Sequence, residues 1–208
     1  EIIQTRFSTK EDLDKADFVL DFFDSVEDNE EAKIKDPIDI SCEWVGLVPS
    51  SYLPVYIFQE YEKEWAKMFL SGMGYKENMK LLAMPLTASS MNRTWLGYSE
   101  LIDLLLKTYK DIQIILLGNQ QHAGIVLDKI YKQISTTDRI INAYGRTTLR
   151  QMFSIINESN FVFSPDTGAV PICGMLKKPT LVLYSTVPKS TRIKYYPTIK
   201  GIEADVDC

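Results

Sequence analysis

The feature that most constrains this 208-residue chain is a regular alternation of short apolar runs and helical patterns that begins at Lys80. Strands that are apolar almost throughout and that alternate with helices are typical of a parallel sheet covered on both faces. The sequence therefore predicts an α/β fold for residues 80–208, with a Rossmann-like parallel sheet flanked by helices. The predicted strands cover residues 81–84, 112–117, 140–142, 161–163 and 180–184, and the predicted helices cover residues 97–109, 121–134, 148–158 and 169–176.

Residues 1–79 precede this alternation and predict an N-terminal helix, an acidic linker and an interdomain segment. Helical apolar spacing after a Thr N-cap predicts the first helix at residues 9–23. Residues 24–35 predict a solvated acidic linker, and residues 36–58 an extended segment that begins at an Asp-Pro pair. A second helix is predicted at residues 59–72, where glycines end it.

The composition excludes several classes of protein. Residues 1–36 carry twelve acids and five bases, a net charge of -7 within a chain of net charge -5, and the remainder has no strong basic stripe. This distribution predicts no nucleic-acid partner. The longest apolar runs are much shorter than the roughly 20 residues of a spanning helix, so no membrane span is expected.

The cysteines and the single histidine also limit the chemistry. Cys42, Cys173 and Cys208 are far apart and odd in number, a pattern that predicts neither a disulfide framework nor a metal site. We therefore expect a reducing compartment and no metal, with a metal site that uses further ligands beyond Cys208 as the open alternative. The N-terminal residues lack the basic, apolar and small-residue pattern of a signal peptide, so none is expected. Because the chain begins at Glu1 rather than Met, we interpret it as a processed or truncated piece of a protein.

The turn at residues 164–168 is the strongest candidate for a ligand site. A strand is followed directly by Asp166, Thr167 and Gly168, and then by a helix. Ligands of open parallel sheets bind at the carboxyl ends of strands, and the N–H groups of a helix N-terminus suit an anion such as phosphate. Thr167 could add a hydroxyl donor, and Gly168 would allow a ligand to approach the backbone closely. A simple helix cap is the alternative, since Asp and Thr are common capping residues.

Two further turns follow the first and second predicted strands. The loop at residues 85–95 supplies the hydroxyls of Thr87 and Ser89 and the fixed charge of Arg93, which suits a diphosphate. After the second strand, Gly118 permits a tight turn and Gln120 could bind a ribose or a base edge. A plain loop is an equally good interpretation of that turn. No Walker motif and no G-x-G-x-x-G follows a strand, so P-loop and dehydrogenase functions are not expected.

Four short motifs occur in order along the predicted domain: Asn92-Arg93-Thr94-Trp95, then Leu116-Leu117-Gly118-Asn119, then Gly145-Arg146-Thr147-Thr148-Leu149-Arg150, and last Asp166-Thr-Gly-Ala-Val-Pro-Ile-Cys173 followed by Lys177-Lys178-Pro179. Together they resemble glycosyltransferase family 9, the ADP-heptose:lipopolysaccharide heptosyltransferases. The resemblance is to the C-terminal, nucleotide-sugar-binding half of the family's GT-B fold. Two positions depart from the family pattern, with Arg93 in place of a Lys and Pro171 in place of a His. The turn after the last predicted strand, Tyr184-Ser-Thr-Val-Pro188, also departs from the family's Gly-Pro-Thr-like turn.

The resemblance implies the donor-binding domain of an inverting, metal-independent glycosyltransferase, without a cofactor, that transfers heptose from ADP-heptose to a bacterial lipopolysaccharide or to another glycan or protein acceptor. It implies a cytoplasmic location, with a peripheral position at the inner membrane as the alternative. The implied nucleotide-sugar-binding residues are Asp166, Thr167, Gly168, Arg93, Thr87, Ser89, Gly118 and Gln120. The family's catalytic base lies in an N-terminal domain, so a missing domain or a partner chain would have to supply it.

Two other functions remain open at the level of the sequence. A degenerate transferase half could act as a non-catalytic binding or assembly module, and Pro171 favours this interpretation. An epimerase of nucleotide sugars with the same GT-B architecture is the other alternative. It would need acid and base groups from both halves. Fold analogy alone does not decide between these functions.

Overall fold

The structure is a computed structural model that describes residues 30–48, 51–86, 88, 93–118, 123–185 and 187–203. The chain divides into two compact units, residues 1–52 and residues 53–208. The helix predicted at residues 9–23 lies outside the described residues, as does the first part of the acidic linker. The domain boundary predicted between residues 79 and 80 falls inside the second unit, which also includes the helix before the sheet.

In the first unit, the described residues form a short 3-10 helix, Glu30–Lys33, and helix α1, Pro37–Trp44. The sequence predicted an extended segment here, and that prediction is wrong for residues 37–44. Asp36 caps α1, because its Oδ1 accepts a hydrogen bond from the Ile38 N–H at 2.9 Å. Proline in the first turn loses no helical hydrogen bond, so the Asp-Pro pair begins a helix at this position.

The second unit contains one six-stranded sheet in which every strand pairs in parallel. The order across the sheet is β3-β2-β1-β4-β5-β6. The strands are β1 (Lys80–Pro85), β2 (Ile112–Leu117), β3 (Ile140–Asn142), β4 (Phe161–Pro165), β5 (Thr180–Tyr184) and β6 (Ile199–Glu203). The predicted Rossmann-like α/β fold is therefore confirmed, and β6 is the one described strand that the sequence did not predict.

The helices of this unit are α2 (Glu60–Gly72), α3 (Tyr98–Thr108), α4 (Ala123–Gln133), α5 (Leu149–Glu158) and α6 (Ala169–Met175). Each lies within one or two residues of its predicted bounds. Local signals explain this agreement: Thr148 caps α5 by accepting the Gln151 N–H, while Gln151 accepts the Thr148 N–H in return. At the end of α2, Gly74 has φ +84°, and the Tyr75 N–H donates to the Leu70 carbonyl at 2.9 Å. A left-handed glycine with this bond ends many helices.

The core lies between the β1–β2 half of the sheet and helices α3 and α4. Alternate strand residues, Leu82 and Met84 on β1 and Ile114 and Leu116 on β2, face it and are buried. The two helices contribute Tyr98, Ile102, Leu106, Val126 and Ile130. The strands are buried on both faces, and this is why their apolar runs are nearly continuous. No helix among the described residues is long and apolar enough to cross a membrane.

Candidate functional site

The strand order changes direction between β1 and β4. The chain leaves β1 toward β2 and β3 on one side, whereas β4, β5 and β6 extend the sheet on the other side. β1 and β4 pair through Leu82 with Phe161 and Ala83 with Val162. Both strands run in the same direction, so their carboxyl ends meet at one edge of the sheet. In open α/β sheets, this point of reversal is where ligands bind.

Two of the predicted site residues meet across this junction. Arg93 belongs to the segment that follows β1, and Asp166 follows β4 directly. The Arg93 Nη1 lies 3.5 Å from the Asp166 Oδ2, with the Arg93 side chain 31% exposed and the Asp166 side chain 13% exposed. The fold therefore pairs residues that are 73 positions apart in the sequence, and it holds a guanidinium group at the edge where a ligand would enter.

The main-chain position of Asp166 is fixed by the sheet. Its N–H donates to the Leu183 carbonyl at 3.1 Å, which continues the β4–β5 pairing by one residue. Ser164, two residues before Asp166, has no exposed surface, and its hydroxyl donates to the Pro165 carbonyl at 2.7 Å. The turn at residues 164–168 is therefore anchored on its buried side before it reaches the surface.

Thr167 caps the helix that follows. Its Oγ1 accepts a hydrogen bond from the Ala169 N–H at 3.2 Å, and its carbonyl accepts one from the Val170 N–H at 3.0 Å. Gly168 is the N-cap residue and has no side chain, so the capping hydroxyl considered from the sequence is that of Thr167, one residue earlier. Within the described part of the chain, the N–H groups of Thr167 and Gly168 have no acceptor, and the side-chain position of Gly168 faces open space. These two amides remain available to an anion.

The end of β1 is fixed by buried aromatic side chains. The Tyr98 hydroxyl donates to the Pro85 carbonyl at 3.0 Å, and burial raises the pKa of that phenol, which keeps it protonated as a donor. The Trp95 ring packs against Tyr98 and Phe163, with ring centroids 5.2 and 5.5 Å away. Trp95 thus joins the loop after β1 to β4. Thr87 and Ser89 lie outside the described residues.

Gly118 follows β2 at the same edge of the sheet. It has φ +150°, and a Cβ added to it would lie 2.5 Å from the Tyr144 ring. Its carbonyl accepts the Gly145 N–H at 2.9 Å, and the neighbouring Leu117 carbonyl accepts the Leu86 N–H at 3.0 Å. The end of β2 is therefore hydrogen-bonded both to the segment after β1 and to the segment after β3. The Tyr144 ring fills the space where a side chain of residue 118 would lie. Gln120 lies outside the described residues.

The structure also shows supporting residues that the sequence did not single out. Ser164 and Tyr98 each bond a carbonyl at the end of a strand. In the sequence, Ser164 is a polar residue within an apolar strand, whereas nothing in the neighbouring residues marks Tyr98. Pro171, which replaces the family's His, is exposed in the first turn of α6. Among the described residues, no group of His, Cys, Asp and Glu could hold a metal ion.

Several solved structures of glycosyltransferases are similar to this chain. A glycosyl transferase family 9 protein from Veillonella parvula DSM 2008 aligns with 83% of this chain and 50% of its own, at 17% identity and a TM-score of 0.70. ADP-heptose lps heptosyltransferase II of E. coli aligns with 84% of this chain and 55% of its own, at 16% identity and a TM-score of 0.67. At these identities the likeness shows the fold, which is that of GT-B glycosyltransferases.

A third solved structure, E. coli heptosyltransferase WaaC with ADP, aligns with 80% of this chain and 48% of its own, at 16% identity and a TM-score of 0.54. The chain thus spans about half the length of these proteins. A search of curated proteins finds no significant match. The model of glycosyltransferase family 9 (heptosyltransferase) matches residues 24–206, most of the chain, and the protein therefore belongs to that family.

Proposed function

We propose that residues 80–208 are the donor-binding domain of an inverting, metal-independent glycosyltransferase. The observation that carries the proposal is the ion pair between Arg93 and Asp166 at the carboxyl edge of the sheet, where the strand order reverses. The amides of Thr167 and Gly168, which have no acceptor among the described residues, directly follow Asp166 in the sequence. A cation and two N–H groups at one edge form a site of the kind that a diphosphate fits.

The chemistry of transfer needs charge stabilisation on the leaving nucleoside diphosphate. Donors that are already in place before the reaction stabilise this charge without reorganisation. Arg93 supplies a fixed positive charge, and Asp166 orients its guanidinium group through the ion pair. Asp166 is thereby a positioning residue rather than a base. The acceptor hydroxyl would be deprotonated by a group of another domain or chain.

Heptose is the proposed sugar and ADP the proposed nucleotide of the donor. The support comes from the family, whose model is described as heptosyltransferase, and from the E. coli structures whose titles name ADP-heptose and ADP. Thr87, Ser89, Gly118 and Gln120 complete the proposed donor site. A lipopolysaccharide, or another glycan or a protein, is the proposed acceptor, and a cytoplasmic location, or a peripheral one at the inner membrane, is the proposed location.

Calorimetric titration of this chain with ADP, UDP and GDP, with and without magnesium, tests the proposal. We expect ADP to bind in preference to the other two without a metal. Arg93→Ala should weaken ADP binding about tenfold or more, since a hydrogen bond to a charged group contributes about 1.5–3 kcal/mol. Asp166→Asn should weaken it less, because the guanidinium group remains but loses its orienting partner.

Lys80→Ala is the matched control for Arg93→Ala. Lys80 lies at the opposite end of β1 and also forms an ion pair, with its Nζ 3.0 Å from the Asp111 Oδ2. Lys80→Ala also removes one positive charge from the protein, but far from the site, so the affinity for ADP should not change. Equal affinity in Arg93→Ala and the wild type would show that Arg93 does not hold the diphosphate.

The non-catalytic module is the second candidate, and Pro171 favours it. This residue has no N–H and no ionisable group at a position where the family has a histidine. A module without donor-binding function should bind none of the three nucleotides. A chain that binds ADP with the expected dependence on Arg93 would exclude a module that has lost its donor site.

A further inference from the structure

Ser164 lies directly beneath the proposed site and takes no part in the chemistry described so far. It is the fourth residue of β4, and none of its surface is exposed. Its Oγ lies 2.7 Å from the Pro165 carbonyl oxygen and 3.3 Å from the Thr167 Oγ1. A buried hydroxyl with these two neighbours can influence the turn through the direction of its hydrogen bonds.

The directions follow from counting hydrogens. A serine hydroxyl has one hydrogen, and a carbonyl oxygen can only accept. The contact with the Pro165 carbonyl therefore uses the hydrogen of Ser164. In the contact between the two hydroxyls, Ser164 can then only accept, so Thr167 donates. The Thr167 oxygen in turn accepts the Ala169 N–H.

We propose that Ser164 is a positioning residue that holds the Thr167 hydroxyl hydrogen inward, so that Thr167 cannot donate it to a phosphate. The Thr167 oxygen keeps one free lone pair, which would repel an anion. Recognition of the diphosphate then falls to Arg93 and to the backbone amides of Thr167 and Gly168. This inference rests on the proposed donor-binding function, and it corrects the expectation that Thr167 serves as a hydroxyl donor.

The first test needs no nucleotide. The chain of hydrogen bonds ends at the Ala169 N–H, so Ser164→Ala should increase the hydrogen-exchange rate of that amide about three- to tenfold. Ser159→Ala is the matched control, because Ser159 is equally buried and its hydroxyl donates to the Ile155 carbonyl at 2.8 Å in another element. It should leave Ala169 exchange unchanged. Unchanged exchange in Ser164→Ala would overturn the proposal.

The second test is a double-mutant cycle read out by ADP affinity. Ser164→Ala frees the Thr167 hydroxyl hydrogen for a phosphate oxygen, so it should strengthen ADP binding about three- to tenfold in the wild-type background. It should have no effect in the Thr167→Val background, because Ser164 acts through the Thr167 hydroxyl. Thr167→Ser keeps the hydroxyl and should preserve the effect of Ser164→Ala. Ser159→Ala should not change the affinity.

The two tests distinguish a failure of the proposed donor-binding function from a failure of the role proposed for Ser164. If the wild-type chain does not bind ADP, the proposed function is wrong, while the exchange rate of Ala169 still decides whether Ser164 orders the turn. If ADP binds but Ser164→Ala does not strengthen binding, or changes it equally with and without the Thr167 hydroxyl, Ser164 does not act by holding that hydroxyl and the proposal is wrong.

Discussion

Gly118 shows at the scale of one residue how packing determines a position that the sequence marks only as a turn. Its φ of +150° and the Tyr144 ring, 2.5 Å from where a Cβ would lie, both exclude a side chain. The sequence predicted the turn, because glycine after a strand is a strong local signal. It did not predict Tyr144 as the reason, because that contact depends on the pairing of β2 with β3.

Gly118→Ala should therefore lower the free energy of unfolding by about 1–3 kcal/mol, the usual cost of adding atoms to a packed position. Gly72→Ala is the matched control, because nothing lies within 4 Å of its added Cβ and its φ is outside the left-handed region. It should change stability by less than about 0.5 kcal/mol. Urea unfolding of both variants measures the difference, and equal stabilities would contradict the role assigned to Tyr144.

Arg93 and Asp166 show what residue-level reasoning leaves out. Each was predicted from the chemistry of its own turn, since a charged or polar residue follows an apolar strand in both cases. Their ion pair was not predicted, because no local signal reports that β1 and β4 are neighbours. Thr87, Ser89 and Gln120 stay predictions, because they lie outside the described residues.

At the scale of elements, a buried carboxylate joins α2 to α5. The Glu62 side chain is only 5% exposed, and it accepts two hydrogen bonds from the Arg150 guanidinium group, with Nη2 2.8 Å from Oε2. It also accepts the Gln59 N–H at the start of α2. The guanidinium group lies over the Tyr56 ring, 5.1 Å from its centroid. One residue thus caps α2 and holds it against α5.

This ion pair predicts a pH dependence. The hydrogen bonds from Arg150, and then the one from Gln59, hold the pKa of Glu62 below its usual value. A lowered pKa stabilises the folded state above the unfolded value of about 4.3, and the stabilisation is lost as the pH falls through the folded pKa. Glu62→Gln should therefore lower the melting temperature at pH 7, and the difference from the wild type should shrink as the pH falls below about 4.

Glu60→Gln is the matched control for this measurement. Glu60 lies in the same turn of α2 and pairs with Lys63 at 3.1 Å, but its side chain is 76% exposed. Exposed pairs contribute little to stability, so Glu60→Gln should change the melting temperature only slightly at either pH. A difference between Glu62→Gln and the wild type that persists unchanged in acid would show that the carboxylate charge is not the cause.

The elements that the sequence did and did not predict differ in their local signals. Helices α2 to α6 have helical apolar spacing, α2 and α5 also have capping boxes, and strands β1 to β5 have nearly continuous apolar runs. β6 was missed because Lys200 and Gly201 interrupt its apolar residues, as is common for a strand at a sheet edge. α1 was misjudged because Asp-Pro begins both helices and extended segments.

At the scale of the whole second unit, the reaction rate of the Cys173 thiol measures how often the unit unfolds. Its thiol is buried in α6, and burial raises its pKa to about 11. At pH 8 only about one thiol in a thousand would be a reactive thiolate. In a variant that carries Cys42→Ser and Cys208→Ser, a thiol reagent should therefore modify Cys173 only as fast as the unit unfolds.

The control for thiol reactivity is a variant that retains only Cys42, which is partly exposed in the first unit. It should react faster in native buffer, whereas both variants should react alike in urea. Rapid modification of Cys173 without denaturant would contradict the packing of α6 against the sheet.

The pairing of β1 with β4 has a consequence for the order of assembly during synthesis. β1, β2 and β3 are neighbours both in the chain and in the sheet, so they can form a three-stranded βαβαβ intermediate early. Leu82 pairs with Phe161, 79 residues later, so the other side of β1 remains uncovered until β4 has left the ribosome. Until then this edge of β1 has unpaired backbone N–H and C=O groups, and a chaperone that covers the nascent chain would protect it from aggregation.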